Sequence, residues 1–120
     1  MKNKIVTIGA IFGFLGVALG AFGAHLLKNN LTPEVMDTYK TGILYQLIHA
    51  VVLISIGFSG IQKYFRSAYF FIAGTVLFSI SLYIYSIFNI KFFAMFAPFG
   101  GASFMIGWII LIIYSLKKDN

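Results

Sequence analysis

Cysteine is absent from the chain, and acidic residues nearly so: three Asp and Glu stand against nine Lys and Arg. The lack of cysteine excludes a disulfide framework, a thiolate metal site and a cysteine nucleophile. No phosphate-binding loop, metal-ligand spacing or catalytic signature is present either. Charge of any sign is scarce, at 10% of residues, where soluble domains carry about 25%.

What fills the chain instead is apolar. Hydrophobic residues make up 60% of its 120 positions, more than a single small domain can hide from water. The solvent for this surface is therefore lipid. The net charge of +6 does not imply a nucleic-acid partner, because the basic residues sit at segment ends rather than in a stripe.

Four apolar runs, at about 5–27, 41–60, 67–88 and 93–116, each approach the roughly 20 residues that cross a bilayer. They predict one all-α transmembrane domain of four helices, joined by short connections. The first run follows a basic start, as a leader would, but it is too long for a cleaved segment and is expected to stay as a helix. Lys2, Lys4, Lys63, Arg66, Lys117 and Lys118 fall at one set of ends, and Lys28, Lys40 and Lys91 at the other. That bias places both termini in the cytoplasm of a bacterial cell.

The first connection carries a helix start of its own. Thr32, Pro33 and Glu34 supply an N-cap, a proline at the first helical position and an acid in the first turn. Leu31 and Met36 take the positions of a hydrophobic staple. A short interfacial helix is expected from Pro33, with Gly42 as a bend into the second span. Tyr39, Tyr64, Tyr69 and Tyr114 lie near the proposed boundaries and read as an aromatic belt, whereas Trp108 lies further inside and reads as packing.

Glycine recurs in the first span at Gly9, Gly13, Gly16, Gly20 and Gly23, a 4-3-4-3 spacing that keeps one helix face bare at about 100° per residue. In lipid, where no hydrophobic drive joins helices, such a face allows close backbone packing. Gly100, Ser103 and Gly107 repeat the device in the fourth span. The two small faces are expected to meet, making the first and fourth helices neighbours, with a homodimer seam as the competing use.

Only two ionisable side chains lie clearly inside the spans, His25 and His49. His49 shares a helix face with Gln46 and Tyr45, three and four residues earlier. Polar groups in hydrocarbon require partners, and the third span offers Thr75, Ser79, Tyr83 and Ser86 at a 4-4-3 spacing. His49 and Gln46 are therefore expected to hydrogen-bond to Tyr83 or Ser79. A candidate intramembrane polar cluster follows: His25, Tyr45, Gln46, His49, Ser79 and Tyr83. Two histidines would suit a haem, but His49 sits deeper than His25 by roughly 6–9 Å along its helix, and no cofactor is expected. Acid–base work by His25 with Glu34 or Asp37 lacks a nucleophile or metal beside it, so no catalytic or metal-binding residue is assigned.

Four stretches carry a resemblance: "ALGAFGAHLL" at 18–27, "YQLIHA" at 45–50, "GTVLFSISLY" at 74–83 and "APFGGASFMIGW" at 97–108. In order and spacing the chain resembles the YgdD/YwdK and transmembrane protein 256 family of small membrane proteins. Ile80 stands where that family often has glycine, and Ala97 where it often has threonine. The resemblance implies a multi-pass inner-membrane protein and carries no reaction, substrate or catalytic residue. The expected function is non-enzymatic, an accessory or assembly role through helix–helix or lipid contacts. Its partners are then lipid, another membrane protein or a second copy of the chain. The alternatives are an oligomeric transporter or channel using the His/Gln/Tyr cluster, and an enzyme acting on lipid at the outer surface.

Overall fold

In the computed structural model, which describes residues 1–118, four helices are long and apolar enough to cross a membrane. They are α1 (Lys2–Leu26), α2 (Pro33–Ser59), α3 (Gln62–Phe88) and α4 (Lys91–Ser115). Helix α2 begins where the capping residues sit. Thr32 Oγ1 accepts the Val35 N–H at 3.2 Å, and Pro33 opens the first turn. It ends at Gly60, whose φ of +66° is the left-handed conformation that favours glycine as a helix stop.

The expected interfacial helix and the second span are one continuous helix. Gly42 does not interrupt it. A Cβ there would meet the Tyr83 ring at 2.8 Å, and the Gly42 carbonyl accepts the Ser79 hydroxyl at 2.7 Å. The glycine thus admits a neighbouring helix.

Helix α3 is composite. A 3₁₀ turn at Gln62–Tyr64 leads into α-helix, a π-helical stretch at Thr75–Ile80, and α-helix again to Phe88. Asn89 terminates it in the left-handed conformation, with φ 55°. Helix α4 starts with a short turn at Lys91–Ala94 and continues as Ala97–Ser115, with Pro98 in its first turn.

Packing corrects one expectation. The small faces of α1 and α4 do not meet; each is filled by large side chains of its sequence neighbour. Along α1, a Cβ at Gly9 would lie 3.0 Å from the Ala50 carbonyl oxygen, one at Gly16 would lie 2.6 Å from Leu47, and one at Gly23 would overlap the Tyr39 ring. On α4, Gly100 touches the backbone of Phe78 and Gly107 the ring of Phe71. Ser103 Oγ donates to the Phe70 carbonyl at 2.7 Å. Interiors pack to crystal-like density, and here the bare faces are filled by the side chains of Leu47, Tyr39 and Phe71 and by the backbone of Phe78.

The molecule is thus two antiparallel hairpins, α1–α2 and α3–α4, joined where α2 meets α3. One core collects Ile5, Leu53, Phe65, Phe71 and Phe104; a second, toward the other end, collects Leu27, Tyr39 and Tyr83. Tyr39 belongs to that core and is 1% exposed, so it is no part of an interfacial belt. Its burial follows from Gly23, which leaves room for its ring. At the basic end, Arg66 donates to the Tyr114 hydroxyl at 3.2 Å and Lys63 to the Lys117 carbonyl at 2.9 Å, tying α3 to the end of α4.

Candidate functional site

The predicted cluster divides into two hydrogen-bonded groups on either side of α2. In the first, Gln46 is 3% exposed and bridges three helices. Its Oε1 accepts the Tyr83 hydroxyl of α3 at 2.7 Å, while its Nε2 donates to the Phe12 carbonyl of α1 at 2.8 Å. Ser79 completes the contact by donating to Gly42, not to Gln46 or His49.

In the second group, His49 turns toward α4. Its ring stacks on Phe104, with centroids 3.9 Å apart, and is flanked by Phe71 at 5.2 Å. Nδ1 lies 2.7 Å from the Tyr45 carbonyl oxygen, and Nε2 lies 3.1 Å from Trp108 Nε1. A carbonyl only accepts and an indole N–H only donates. The two partners together therefore assign the neutral tautomer, with Nδ1 donating and Nε2 accepting. Trp108→Phe is expected to remove the second bond, lowering stability by about 1 kcal/mol. The thermal midpoint in detergent checks this, and the ¹⁵N shift of His49 Nε2 should move with it.

The expectation that His49 bonds to Tyr83 or Ser79 is thus met only by its neighbour Gln46. His49 finds Trp108 instead, a residue read from the sequence as packing alone. A signal existed: Trp108 is the chain's only indole and follows Phe104 by four residues, so one helix face presents both a ring to stack on and an N–H to donate. Tyr45 contributes its carbonyl to His49 and its ring to Phe78, at 4.7 Å. His25 stands apart. It is exposed near the end of α1, and the structure does not bring it to His49. Buried Ser86, the last of the polar stripe, has no hydrogen-bond partner among the described residues.

Three of the carbonyls that accept a side chain from another helix share a feature, Gly42 being the exception with Gln46 four residues on. Gln46 donates to Phe12, Tyr39 to Leu19 and Ser103 to Phe70. Four residues after each acceptor stands a glycine: Gly16, Gly23 and Gly74. Side chains on a helix lean toward its N-terminus, so the residue four positions on normally screens a carbonyl from the flank. Without a Cβ the oxygen is open to a second donor. The glycines serve close packing and also expose backbone acceptors where no water competes.

Chemically, this arrangement holds helices together. Among the described residues, no three His, Asp or Glu side chains converge on a point that would hold a metal. Both nitrogens of His49 and both polar ends of Gln46 are already engaged. Ile80 is 42% exposed on the outer surface.

Comparison with known proteins agrees with this picture of a small membrane bundle. Residues 19–101 match the family described as protein of unknown function DUF423. The chain is 38% identical to the UPF0382 membrane protein YwdK of Bacillus subtilis over 122 residues, covering 98% of each chain. It is 34% identical to the UPF0382 inner membrane protein YgdD of Escherichia coli, covering 98% of this chain and 93% of that one. A UPF0382 membrane protein of Haemophilus influenzae is 38% identical over 123 residues, covering 100% of this chain and 99% of that one. No solved structure matches. By this family match and these relatives, the chain belongs to the DUF423 family, that of the UPF0382 membrane proteins.

Proposed function

We propose that the protein is a non-enzymatic component of the bacterial plasma membrane, acting through helix–helix or lipid contacts in an accessory or assembly role, with both termini in the cytoplasm. One observation carries the reading. Gln46, His49, Ser79 and Ser103 direct their hydrogen bonds to neighbouring helices and backbone, while the exposed surface along the spans is mostly apolar: Phe14, Val17, Val51, Met105 and Ile112 are all more than half exposed. The fold thereby offers partners a surface more readily than it offers a substrate a reactive group. Its principal extents of 54 × 25 × 18 Å leave four helices, each about 10 Å across, little room for a solute path within one chain. The six basic residues at one end favour the cytoplasmic placement of the termini.

Reporter fusions at each terminus are expected to read cytoplasmic. A native mass spectrum of gently solubilised protein is expected to retain a lipid or membrane-protein partner at fixed stoichiometry. A bare monomer, or pH-dependent flux in liposomes that His49→Ala abolishes, would overturn the reading.

A further inference from the structure

Beyond the closed network, one polar group near the middle of the membrane faces outward. Tyr45 lies close to the centre of α2 (Pro33–Ser59) and its side chain is 38% exposed. Its hydroxyl has no hydrogen-bond partner among the described residues. A serine in this position could bond back to a carbonyl of its own helix; a phenol reaches too far from the backbone to do so. An unpartnered hydroxyl in hydrocarbon is costly.

Tyr45 lines a groove of about 440 Å³ between α2, α3 and α4, within the roughly 300–1,000 Å³ of small-molecule sites. Its walls are the rings of Phe78, Phe104, Trp108 and His49. Gly101 lines it too, and nothing lies within 4 Å of where a Cβ there would be. The groove thus offers aromatic faces, one hydrogen-bond donor and vacant space.

An ordinary phospholipid does not match that combination. Its tails carry no acceptor, and its ester carbonyls lie near the edge of the hydrocarbon core, about 15 Å from the midplane. The matching occupant is a flat, apolar ring that dissolves in the bilayer core and carries a carbonyl. We propose that this groove binds an isoprenoid quinone, with the Tyr45 hydroxyl donating to a quinone carbonyl and the ring packed among Phe78, Phe104 and Trp108. The proposal is of binding alone, and both nitrogens of His49 are engaged and offer the quinone no further hydrogen bond. The proposal stands on the groove and on Tyr45, independently of the accessory role above.

Trp108 lines the groove and is the chain's only tryptophan, so its fluorescence reports occupancy. The probe is a ubiquinone bearing two isoprene units, added to the protein in lipid nanodiscs. Saturable quenching is expected. Tyr45→Phe should weaken it about tenfold, the effect of one hydrogen bond, and Gly101→Leu should abolish saturation by filling the groove. Circular dichroism confirms that both variants are folded. Quenching that rises without saturation and equally in all three proteins would show mere partitioning and overturn the proposal. So would affinity unchanged in Tyr45→Phe. Saturable quenching by phosphatidylcholine with brominated tails, undisplaced by the quinone, would assign the groove to a lipid chain. A disulfide dimer of Gly101→Cys, in a chain otherwise free of cysteine, would assign it to a second copy.

Discussion

Gly100→Ala is expected to force α4 away from α3 and to destabilise the protein by about 3 kcal/mol. The added Cβ would lie 2.4 Å from the backbone nitrogen of Phe78 and 2.8 Å from its Cα. Where the obstacle is the end of a flexible side chain, as for Gly16 against Leu47, a rotamer change absorbs it. Here the obstacle is main chain, so the helices themselves must separate. That would lengthen the Ser103–Phe70 bond and loosen Phe104 from His49. The adjacent substitution is the control. Gly101→Ala meets nothing within 4 Å and replaces a poor helix former by the best one, so stability should hold or rise slightly. Unfolding each variant by titration from a mild detergent into dodecyl sulfate separates the outcomes. Equal stability of the two would show that α3 and α4 are not in backbone contact.

The second large effect is expected at Gln46. Gln46→Leu keeps the side-chain volume roughly constant but removes the links from α2 to both Phe12 and Tyr83. Interhelical hydrogen bonds in membranes average about 0.6 kcal/mol, with the strongest near 1.7. The larger cost is the buried Tyr83 hydroxyl left without an acceptor, about 1–3 kcal/mol. Together these predict a loss of about 3 kcal/mol. The proof lies in the double variant: Tyr83→Phe removes the stranded hydroxyl, so adding it to Gln46→Leu should restore part of the loss. Strict additivity of the two in the same titration would mean that they do not interact.

Much of the fold is legible in the sequence because lipid imposes simple rules. Hydropathy locates four spans, and Thr32 and Pro33 start α2 where capping chemistry says a helix starts. The polar stripe of α3 is read correctly as a source of partners for α2, to which Ser79 and Tyr83 donate. Pairing of helices is not legible in the same way. Small residues announce that a close contact exists but not what fills it, and the sequence reading matched small face with small face when Leu47, Tyr39 and Phe71 were the complements. Nor does the sequence reveal the π-helical stretch at Thr75–Ile80, which depends on packing against both α2 and α4.

The candidate site is half legible for a related reason. Gln46 and Tyr83 are long, polar and deep, so they find each other. For His49 the sequence offers several donors, Tyr83 and Ser79 among them, and the choice of Trp108 depends on which face of α4 turns inward. The backbone acceptors Phe12, Leu19 and Phe70 were invisible as apolar letters. The glycine four positions after each one is a signal that can be sought in advance in other membrane chains.

The junction between the two hairpins has a consequence for how the chain finds its register. Apolar helices in lipid can slide along one another at small cost, because one methyl group resembles the next. A slip of one helical turn, about 5.4 Å, would sever Gln46–Tyr83, Ser79–Gly42 and Trp108–His49 together. With no water to take up the freed groups, intermediate alignments have nowhere to rest. The hairpins therefore mate like a key with three wards, in one alignment or none. A handful of polar atoms supplies the uniqueness that an apolar surface of this kind lacks.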